Sequence, residues 1–499
     1  MKRILIANRG EIAVRIARAC REAGLESVAV YSDADVHAVH VRVADRAVRI
    51  GPAPAAESYL SPSALIAAAK ATGADAIHPG YGFLSERPEL PRACESAGIV
   101  FVGPPADVME RMGSKIGARA LMQSAGVPIV PGEVPRDQSD QGVLTAARAL
   151  GYPVLVKASA GGGGKGMRTV ASEAEASEAI AAARREATAA FGDGTLYVER
   201  LIARPRHVEI QVFADTQGNV VHLFDRECSV QRRHQKVIEE SPSPAVSATL
   251  RRHMGEAAVA AARAAGYRNA GTIEFLVEGQ GDAASFYFLE MNTRLQVEHP
   301  VTEEVTGIDL VRAQLSVAAG EPLPWSQEVL SQRGHAIECR IYAEDPTHGF
   351  LPQAGPILLY REPSGPGVRV DSGVAEGDEI GVNYDPLLAK LISSGETREA
   401  ARARAVGALR SYPILGIRTN VSFLIRLLEL PAYRDGHLHT GLIDEHWPAL
   451  SRDAADPDVP AEAVVAAASA VNAGAGRDHS SRSSTAEADP WSTLGRWGR

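Results

Sequence analysis

The sequence predicts a multidomain chain of α/β and α+β class, and three stretches carry that prediction. KRILIAN (Lys2 to Asn8), a helical pattern from about Glu11 to Glu22 and SVAVYS (Ser27 to Ser32) read as strand, helix and parallel strand. Joined by short turns, they open a doubly wound, Rossmann-like domain. GTIEFLVE (Gly271 to Glu278) and FYFLE (Phe286 to Glu290) are aromatic, β-branched runs bounded by turn residues, which reads as a hairpin. GHAIECRIYAED (Gly334 to Asp345) opens a further β-rich unit, with Glu338 and Arg340 on one strand face.

A chain of 499 residues has room for about two to four domains and a sizeable core. Its hydrophobic content of 45% and charged content of 23% are ordinary for a globular protein. A net charge of −9 argues against a generalised nucleic-acid binder while leaving room for a local basic pocket. The N-terminal stretch is interrupted by Arg9, Glu11, Arg15 and Arg18, so it lacks the apolar core of a signal peptide. AVVAAASAV near Ala463 is far too short to cross a membrane. Cys20, Cys94, Cys228 and Cys339 are scattered, without metal-ligand or redox spacing, and read as reduced cysteines of a cytoplasmic protein.

Taken in order, the first strand is followed by Asn8-Arg9-Gly10 rather than G-x-G-x-x-G, so a dinucleotide site is not supported. ADAIHPGYGFLSE (Ala74 to Glu86) puts a loop rich in turn residues after a short strand, where such folds place ligand contacts; a plain turn has the same spacing. A domain boundary is expected near Met112, after which Gly113 leads through a helix into a Pro-bounded connection. YPVLVKASAGGGGKGMRTV (Tyr152 to Val170) is a strand, a glycine run and a second strand. It is not a Walker A loop, because Lys165 precedes Gly166 rather than Ser or Thr. Such a run lets backbone N–H groups wrap phosphate oxygens or hinges a lid, and a flexible surface hairpin fits the same pattern. Glu199 to Ile202 reads as a strand end, and Thr216 to Asn219 as a hairpin turn. Arg232, Arg233, His234 and Lys236 form a basic cluster flanked by Glu239 and Glu240. Without an aromatic platform it suits a small anion better than nucleic acid, with a solvated charge run as the plain alternative.

The hairpin carries the most chemistry. Centred on Asp282, it sets Glu290 opposite Glu274. Cross-strand Cβ atoms lie about 5 Å apart and like charges there repel, by roughly 3 kcal/mol at an effective dielectric near 20. A hard cation offsets this, and Mg²⁺ takes one or two carboxylates plus substrate phosphates. With a side-chain period of two, Asn292, Arg294, Gln296 and Glu298 share the face of Glu290 for as long as the chain stays extended. A half-buried strand with a solvated outer face alternates in the same way.

Beyond the hairpin a helical stretch ends at Pro322 and Pro324, and the β-rich unit continues through NYDPLLAKLI and the helix-like Thr397 to Arg410 to about Leu450. The rest is rich in Ala, Ser and Asp and reads as a disordered tail, closing on a sticky PWSTLGRWGR. The expected division is 1–112, 113–325, 332–450 and 451–499.

NRGEIAVRI, HPGYGFLSE, KASAGGGGKGM, PRHVEIQV, QRRHQKVIEE, EMNTRLQVEHPVTE, ECRIYAED and YDPLLAKL occur in this order. Together they resemble the biotin carboxylase family of ATP-grasp enzymes over about residues 2 to 450. The resemblance implies an ATP-grasp central domain with a mobile lid over about residues 131 to 204. It implies that Lys115, Lys157, His207 and His234 contact ATP, that Gly163 and Gly164 lie over the phosphates, and that Glu199, Arg200, Leu201 and Ile202 hold the adenine, mostly by backbone groups. Glu274 and Glu290, which also belong to the ATP site, would with Asn292 bind two Mg²⁺ ions, Mn²⁺ substituting. Lys236, Arg294 and Val297 would bind bicarbonate, Glu298 would act as its base, and Arg340 would sit beside the biotin ureido oxygen; Lys236, Arg294, Glu298 and Arg340 form the implied catalytic set. Arg200 stands where relatives often have Lys, and the loop Gly279 to Ser285 is longer than in compact relatives. No Met-Lys-Met attachment motif occurs beyond residue 450, so biotin is expected on a separate carrier protein, with a carboxyltransferase subunit as further partner and a homodimer as the assembly. The expected activity is the first half-reaction of an acetyl-CoA or propionyl-CoA type carboxylase, in fatty acid biosynthesis. The rivals are a carbamoyl-phosphate-type ligase, which also activates bicarbonate, and an ATP-binding subunit without turnover.

Overall fold

Ile4, Leu5 and Ile6 are wholly buried on successive faces of one short strand, and such a strand belongs inside a sheet covered on both sides. It is the central strand of a five-stranded parallel sheet in the order Arg46–Gly51, Glu26–Ser32, Arg3–Ile6, Ala76–His78, Val100–Phe101. Helix Gly10–Glu22 covers one face with the buried stripe Ile12, Ile16 and Cys20. The strand order reverses between Arg3–Ile6 and Ala76–His78, which opens a crevice at their C-terminal ends. Asn8 ties the two loops there, its Nδ2 donating to the carbonyls of Pro79 (2.7 Å) and Tyr81 (2.6 Å). This computed structural model describes residues 1–159 and 166–451. The glycine run with Gly163 and Gly164, and the tail from 452, lie outside the described residues.

A four-stranded antiparallel sheet, in the order Gly132–Glu133, Leu196–Arg200, Val154–Ala158, Met167–Val170, packs under helices Asp140–Leu150 and Glu173–Phe191. Its core is its own, built from Val143, Val154, Val156, Ile180 and Val198. The second strand expected after the glycine run is therefore present, paired with the first.

The largest sheet has eight strands in the order Ser285–Asn292, Asn269–Glu278, Arg206–Ala214, Val220–Arg232, Gln235–Ser241, His335–Tyr342, Leu387–Gly395, Val368–Ser372. Helix Ala248–Ala265 packs with Ile210, Ile273 and Phe275 at the hairpin end. Helices Arg398–Arg410 and Val421–Glu429 pack with Ile337, Cys339 and Leu391 at the other. Hydrogen bonding is thus continuous from the hairpin into the β-rich unit, through the pairing of Gln235–Ser241 with His335–Tyr342.

Glu274 does stand opposite Glu290, but the hairpin reaches that pairing by an indirect route. Near the turn Glu278 pairs with Ser285 and Phe275 with Phe288, a register that would set Leu289 against Glu274 and turn Glu290 to the other face. A bulge at Leu289 absorbs one residue and returns Glu290 to the face of Glu274. The extended chain then stops at Asn292, short of the length expected from sequence. Residues 293–298 form a connection into helix His299–Thr306, whose first residue is followed by Pro300.

Two contacts fasten the C-terminal end of the large sheet. Glu240, buried, accepts from Arg398 (Nε, 2.7 Å) and His335 (Nε2, 2.6 Å). Burial opposes its ionisation, but Arg398 and His335 outweigh burial and hold the carboxyl at about 2. Its charge therefore stabilises the fold above the ordinary carboxylate range and ceases to do so as pH falls towards about 2. Glu240→Gln should lower the urea midpoint at neutral pH and flatten its decline in acid; a variant with an unchanged acid decline would contradict this assignment. The second contact is a close approach at Gly373, where a Cβ would lie 2.4 Å from the backbone N of Glu11 and 2.7 Å from the carbonyl carbon of Gly10. Gly373→Ala must push the sheet off the first helix, at a cost of about 1–3 kcal/mol, read as a lowered thermal midpoint.

Candidate active site

Pairing places Glu290, Glu274, Glu209 and Arg226 in one row across four adjacent strands. Three acids side by side repel, and the structure answers with cations at close range. Arg226, wholly buried, donates Nε to Glu209 Oε1 (2.5 Å), and its terminal nitrogens to Gln211 (2.8 Å), Thr302 (3.0 Å) and Thr272 (3.1 Å). Lys236 approaches from the neighbouring strand, and its Nζ lies 2.6 Å from Glu209, 2.9 Å from Glu274 and 2.6 Å from Glu298. Burial opposes its charge, but the ring of carboxylates and the Cys228 thiol keep the ammonium protonated well above its ordinary range. His207 Nε2 meets the other oxygen of Glu274 at 2.9 Å. Burial pushes the Glu274 carboxyl up, whereas Lys236 and His207 prevail and hold it below the carboxylate range.

Glu298 immediately precedes helix His299–Thr306 and is fully buried. Its Oε1 faces Lys236 and its Oε2 accepts from Arg340 at 2.9 Å. Burial again opposes ionisation, and Lys236, Arg340 and Arg226 overcome it, so the carboxyl is held well below its usual range. Arg340 in turn donates Nε to Glu239 Oε1 at 2.6 Å. Lys236 and Arg340 are thus two cations bracketing one carboxylate.

Arg294 gathers the connection that follows the hairpin. It donates to Gln296 Oε1 (2.9 Å), Asn292 Oδ1 (3.3 Å) and Glu86 (2.8 Å). Glu86 ends the loop that follows the fourth strand of the first sheet, and it also accepts from the backbone of Thr293 (3.1 Å). The carbonyl of Val297 accepts from the buried Lys390 at 2.8 Å.

On the other side, Lys115 begins helix Lys115–Ser124 near Glu290; burial lowers its pKa, against the pull of Glu290. Lys157 and Glu199 form a buried pair at 2.5 Å, with Arg119 on the same carboxylate at 2.7 Å. Arg200 pairs with Glu278 at 2.8 Å, Leu201 is half-buried and Ile202 is buried. Glu290 makes no hydrogen bond to any described residue, and burial together with Glu274 pushes its carboxyl up. A divalent cation between Glu290 and Glu274 would relieve that repulsion, so the residues present fit a metal. Two further groups have metal-ligand geometry, His207 with Glu209 and Glu274, and Glu209 with Cys228 and Glu298. Lys236 contacts the acids of both, and the Cys228 thiol is pushed well up by burial and by Glu209.

The basic cluster read from sequence is dispersed. Arg232 pairs with Glu344 (3.0 Å) and stacks over Phe350 (3.8 Å). Arg233 and His234 occupy the exposed turn with φ of 50° and 66°, and neither makes a hydrogen bond or ion pair among the described residues. Lys236 alone reaches the acids, because the turn and the strand period point successive side chains apart. Sequence reasoning passed over Glu209, Arg226 and Lys390 and gave Glu239 no role, because their partners lie on elements distant in sequence. All four cysteines are free and buried.

Comparison with known proteins decides the family. Residues 1–109 match the family model "Biotin carboxylase, N-terminal domain", 114–326 "Carbamoyl-phosphate synthase L chain, ATP binding domain", and 338–445 "Biotin carboxylase C-terminal domain". The biotin carboxylase of Halalkalibacterium halodurans is 52% identical over 445 residues, 89% of this chain and 98% of that protein. The chain belongs to the biotin carboxylase family. The mitochondrial methylcrotonoyl-CoA carboxylase subunit alpha of Mus musculus is 51% identical over 89% of this chain, which spans 62% of that subunit's length. The biotin carboxylase domain dimer of Hydrogenobacter thermophilus 2-oxoglutarate carboxylase, solved with MgADP, ADP and bicarbonate, superposes with a TM-score of 0.85 at 44% identity, covering 90% of this chain and 99% of that one. Family membership fits a site in which the biotin carboxylase N-terminal part supplies Glu86, the ATP-binding part Lys236 and Glu298, and the C-terminal part Arg340.

Removing Arg226 leaves Glu209 buried and half-neutralised, so Arg226→Ala should cost about 3–5 kcal/mol of unfolding free energy. Urea denaturation measures it; a loss below about 1 kcal/mol would mean the guanidinium is not needed to hold the acidic row.

Proposed function

We propose that this chain carboxylates biotin held on a separate carrier protein, using ATP and bicarbonate, as the first half-reaction of an acyl-CoA carboxylase. The observation that carries the proposal is Glu298, one carboxylate bracketed by Lys236 and Arg340, with Arg294 alongside. A nucleotide site alone has no use for that arrangement.

Bicarbonate is a poor electrophile and must be phosphorylated, a step governed by alignment and charge neutralisation. We assign the phosphates to Lys115, Lys157 and His207, and two Mg²⁺ ions to Glu274, Glu290 and Asn292. Held by Glu274, Glu290 and Asn292, Mg²⁺ would supply charge neutralisation for the phosphates. Lys236, Arg294 and the Val297 backbone bind bicarbonate. As Lys236 turns from Glu298 to the substrate anion, Glu298 loses a cation that holds its pKa down and becomes a better base for the bicarbonate proton. Arg340 then stabilises negative charge on the biotin ureido oxygen. The unit spanning about 131–204, with its own core, serves as the lid that excludes water.

The acceptor is chosen by a carboxyltransferase partner, and we propose an acyl-CoA of the acetyl-CoA or propionyl-CoA type. A homodimer is the proposed assembly, as in the Hydrogenobacter domain dimer. The cytoplasm is the proposed compartment, supported by four free cysteines. The carbamoyl-phosphate-type alternative has the name of the central family model in its favour. Against it, Arg340 of the C-terminal part enters the Glu298 array, where ammonia chemistry needs no such group.

ADP release is the test, with ATP and Mg²⁺, with and without bicarbonate and free biotin. Wild type should turn over only with bicarbonate and faster with biotin, and Arg294→Ala and Glu298→Ala should each lose about a hundredfold or more. Bicarbonate dependence indifferent to biotin would favour the carbamoyl-phosphate-type ligase, and ATP binding without turnover would favour a regulatory subunit.

A further inference from the structure

The large sheet holds another pair of facing acids, apart from the row of Glu290, Glu274 and Glu209. Glu239 and Glu338 are direct cross-strand partners, both wholly buried. Glu239 Oε1 accepts from Arg340 Nε at 2.6 Å, and a terminal nitrogen of Arg340, which donates to Glu298, lies 2.5 Å from the same oxygen as an ion pair. Oε2 of Glu239 and both oxygens of Glu338 have no hydrogen-bond partner among the described residues. Three orphaned carboxylate oxygens at one buried spot cannot belong to two anions. A single proton removes the conflict, since one acid then donates to the other.

We propose that Glu338 is a neutral carboxylic acid that donates its proton to Oε2 of Glu239, and that this shared-proton pair positions Arg340 for biotin. The assignment of the proton follows from the donors. Glu239 is already the counter-ion of Arg340, whereas Glu338 receives no hydrogen-bond donor from any described residue. The nearest cation on the next strand, Lys390, is committed to the Val297 carbonyl (2.8 Å) and Glu11 (3.2 Å). The charged and titratable groups around the pair include Arg340, Lys390, Lys236, Glu298, Tyr81, Tyr342, Cys228 and Cys339, with His299 on the helix packed against these strands. Burial pushes Glu338 well up and Glu239 up to about 7, in keeping with one proton between them. The proton stays on the pair through turnover: no bond to substrate forms, and Glu239 remains the anion that fixes the guanidinium. Both acids are positioning residues acting through Arg340.

The role of Arg340 rests on the proposed biotin carboxylation, so the test has two arms. In the first, protein labelled with carboxyl-¹³C glutamate is compared by difference infrared spectroscopy at neutral pH, wild type against Glu338→Gln. A protonated-carboxyl C=O band present only in wild type is expected; identical spectra would overturn the proposal whatever the enzyme carboxylates. In the second, Glu338→Ala and Glu239→Gln should each raise the KM for free biotin about tenfold, the loss expected for a charge-assisted hydrogen bond. Biotin-independent, bicarbonate-dependent ATP cleavage should fall far less than biotin-stimulated turnover, and Glu338→Gln, which keeps a neutral donor, should restore the biotin KM. An equal fall in both activities, or failure of Glu338→Gln to rescue, would mean a merely structural pair. A wild type that ignores biotin would sink the proposed function, and the infrared arm would still judge the shared proton.

Discussion

One ammonium group holds the site together. Lys236 lies within 3 Å of carboxylates from three separate segments, at 2.6 Å from Glu209, 2.9 Å from Glu274 and 2.6 Å from Glu298. Gathering such charges away from water is costly, and the cost is met only when each has opposite charge and donors at contact distance. Arg226, His207 and Arg340 complete that requirement around Lys236. Glu274 and Glu298, two of the acids that the proposed chemistry uses, are thus held ionised in the ligand-free protein, by a cation for which the proposed substrate anion would compete.

What could be read from sequence follows from what is local. The first strand is apolar on both faces, and a buried parallel strand has that signature whatever its neighbours. The Glu274 and Glu290 pairing was legible because a hairpin is local and side chains alternate with period two. Its route was not: the bulge at Leu289 leaves no mark in composition, and the symmetric turn assumed from sequence reached the same pair by a different register. The break of the strand at Asn292 was equally hidden, since Arg294 and Gln296 continue the polar alternation in a connection that is no longer a strand.

Charge clusters were the least legible feature. Arg232, Arg233, His234 and Lys236 are neighbours in sequence, yet a turn and the strand pleat send them to Glu344, to solvent and to the acids. Arg294 and Glu86 are separated by 208 residues and meet at 2.8 Å. The motif order resembles the family without revealing any such contact, because a motif records the residues that fill a site and not which of them touch.

The unbroken large sheet has a consequence for how such chains exchange parts. The family models divide this chain between 326 and 338, yet Ile238 pairs with Cys339 and Glu239 with Glu338 across that division. A recombinant that joined this central part to a foreign C-terminal part would have to inherit the same strand register, because a slip by one residue would point Arg340 into the core and Cys339 at the acids. The boundary marks where sequences align, whereas inheritance must respect the hydrogen-bonded ladder. Genetic modules and mechanical modules therefore differ in this protein.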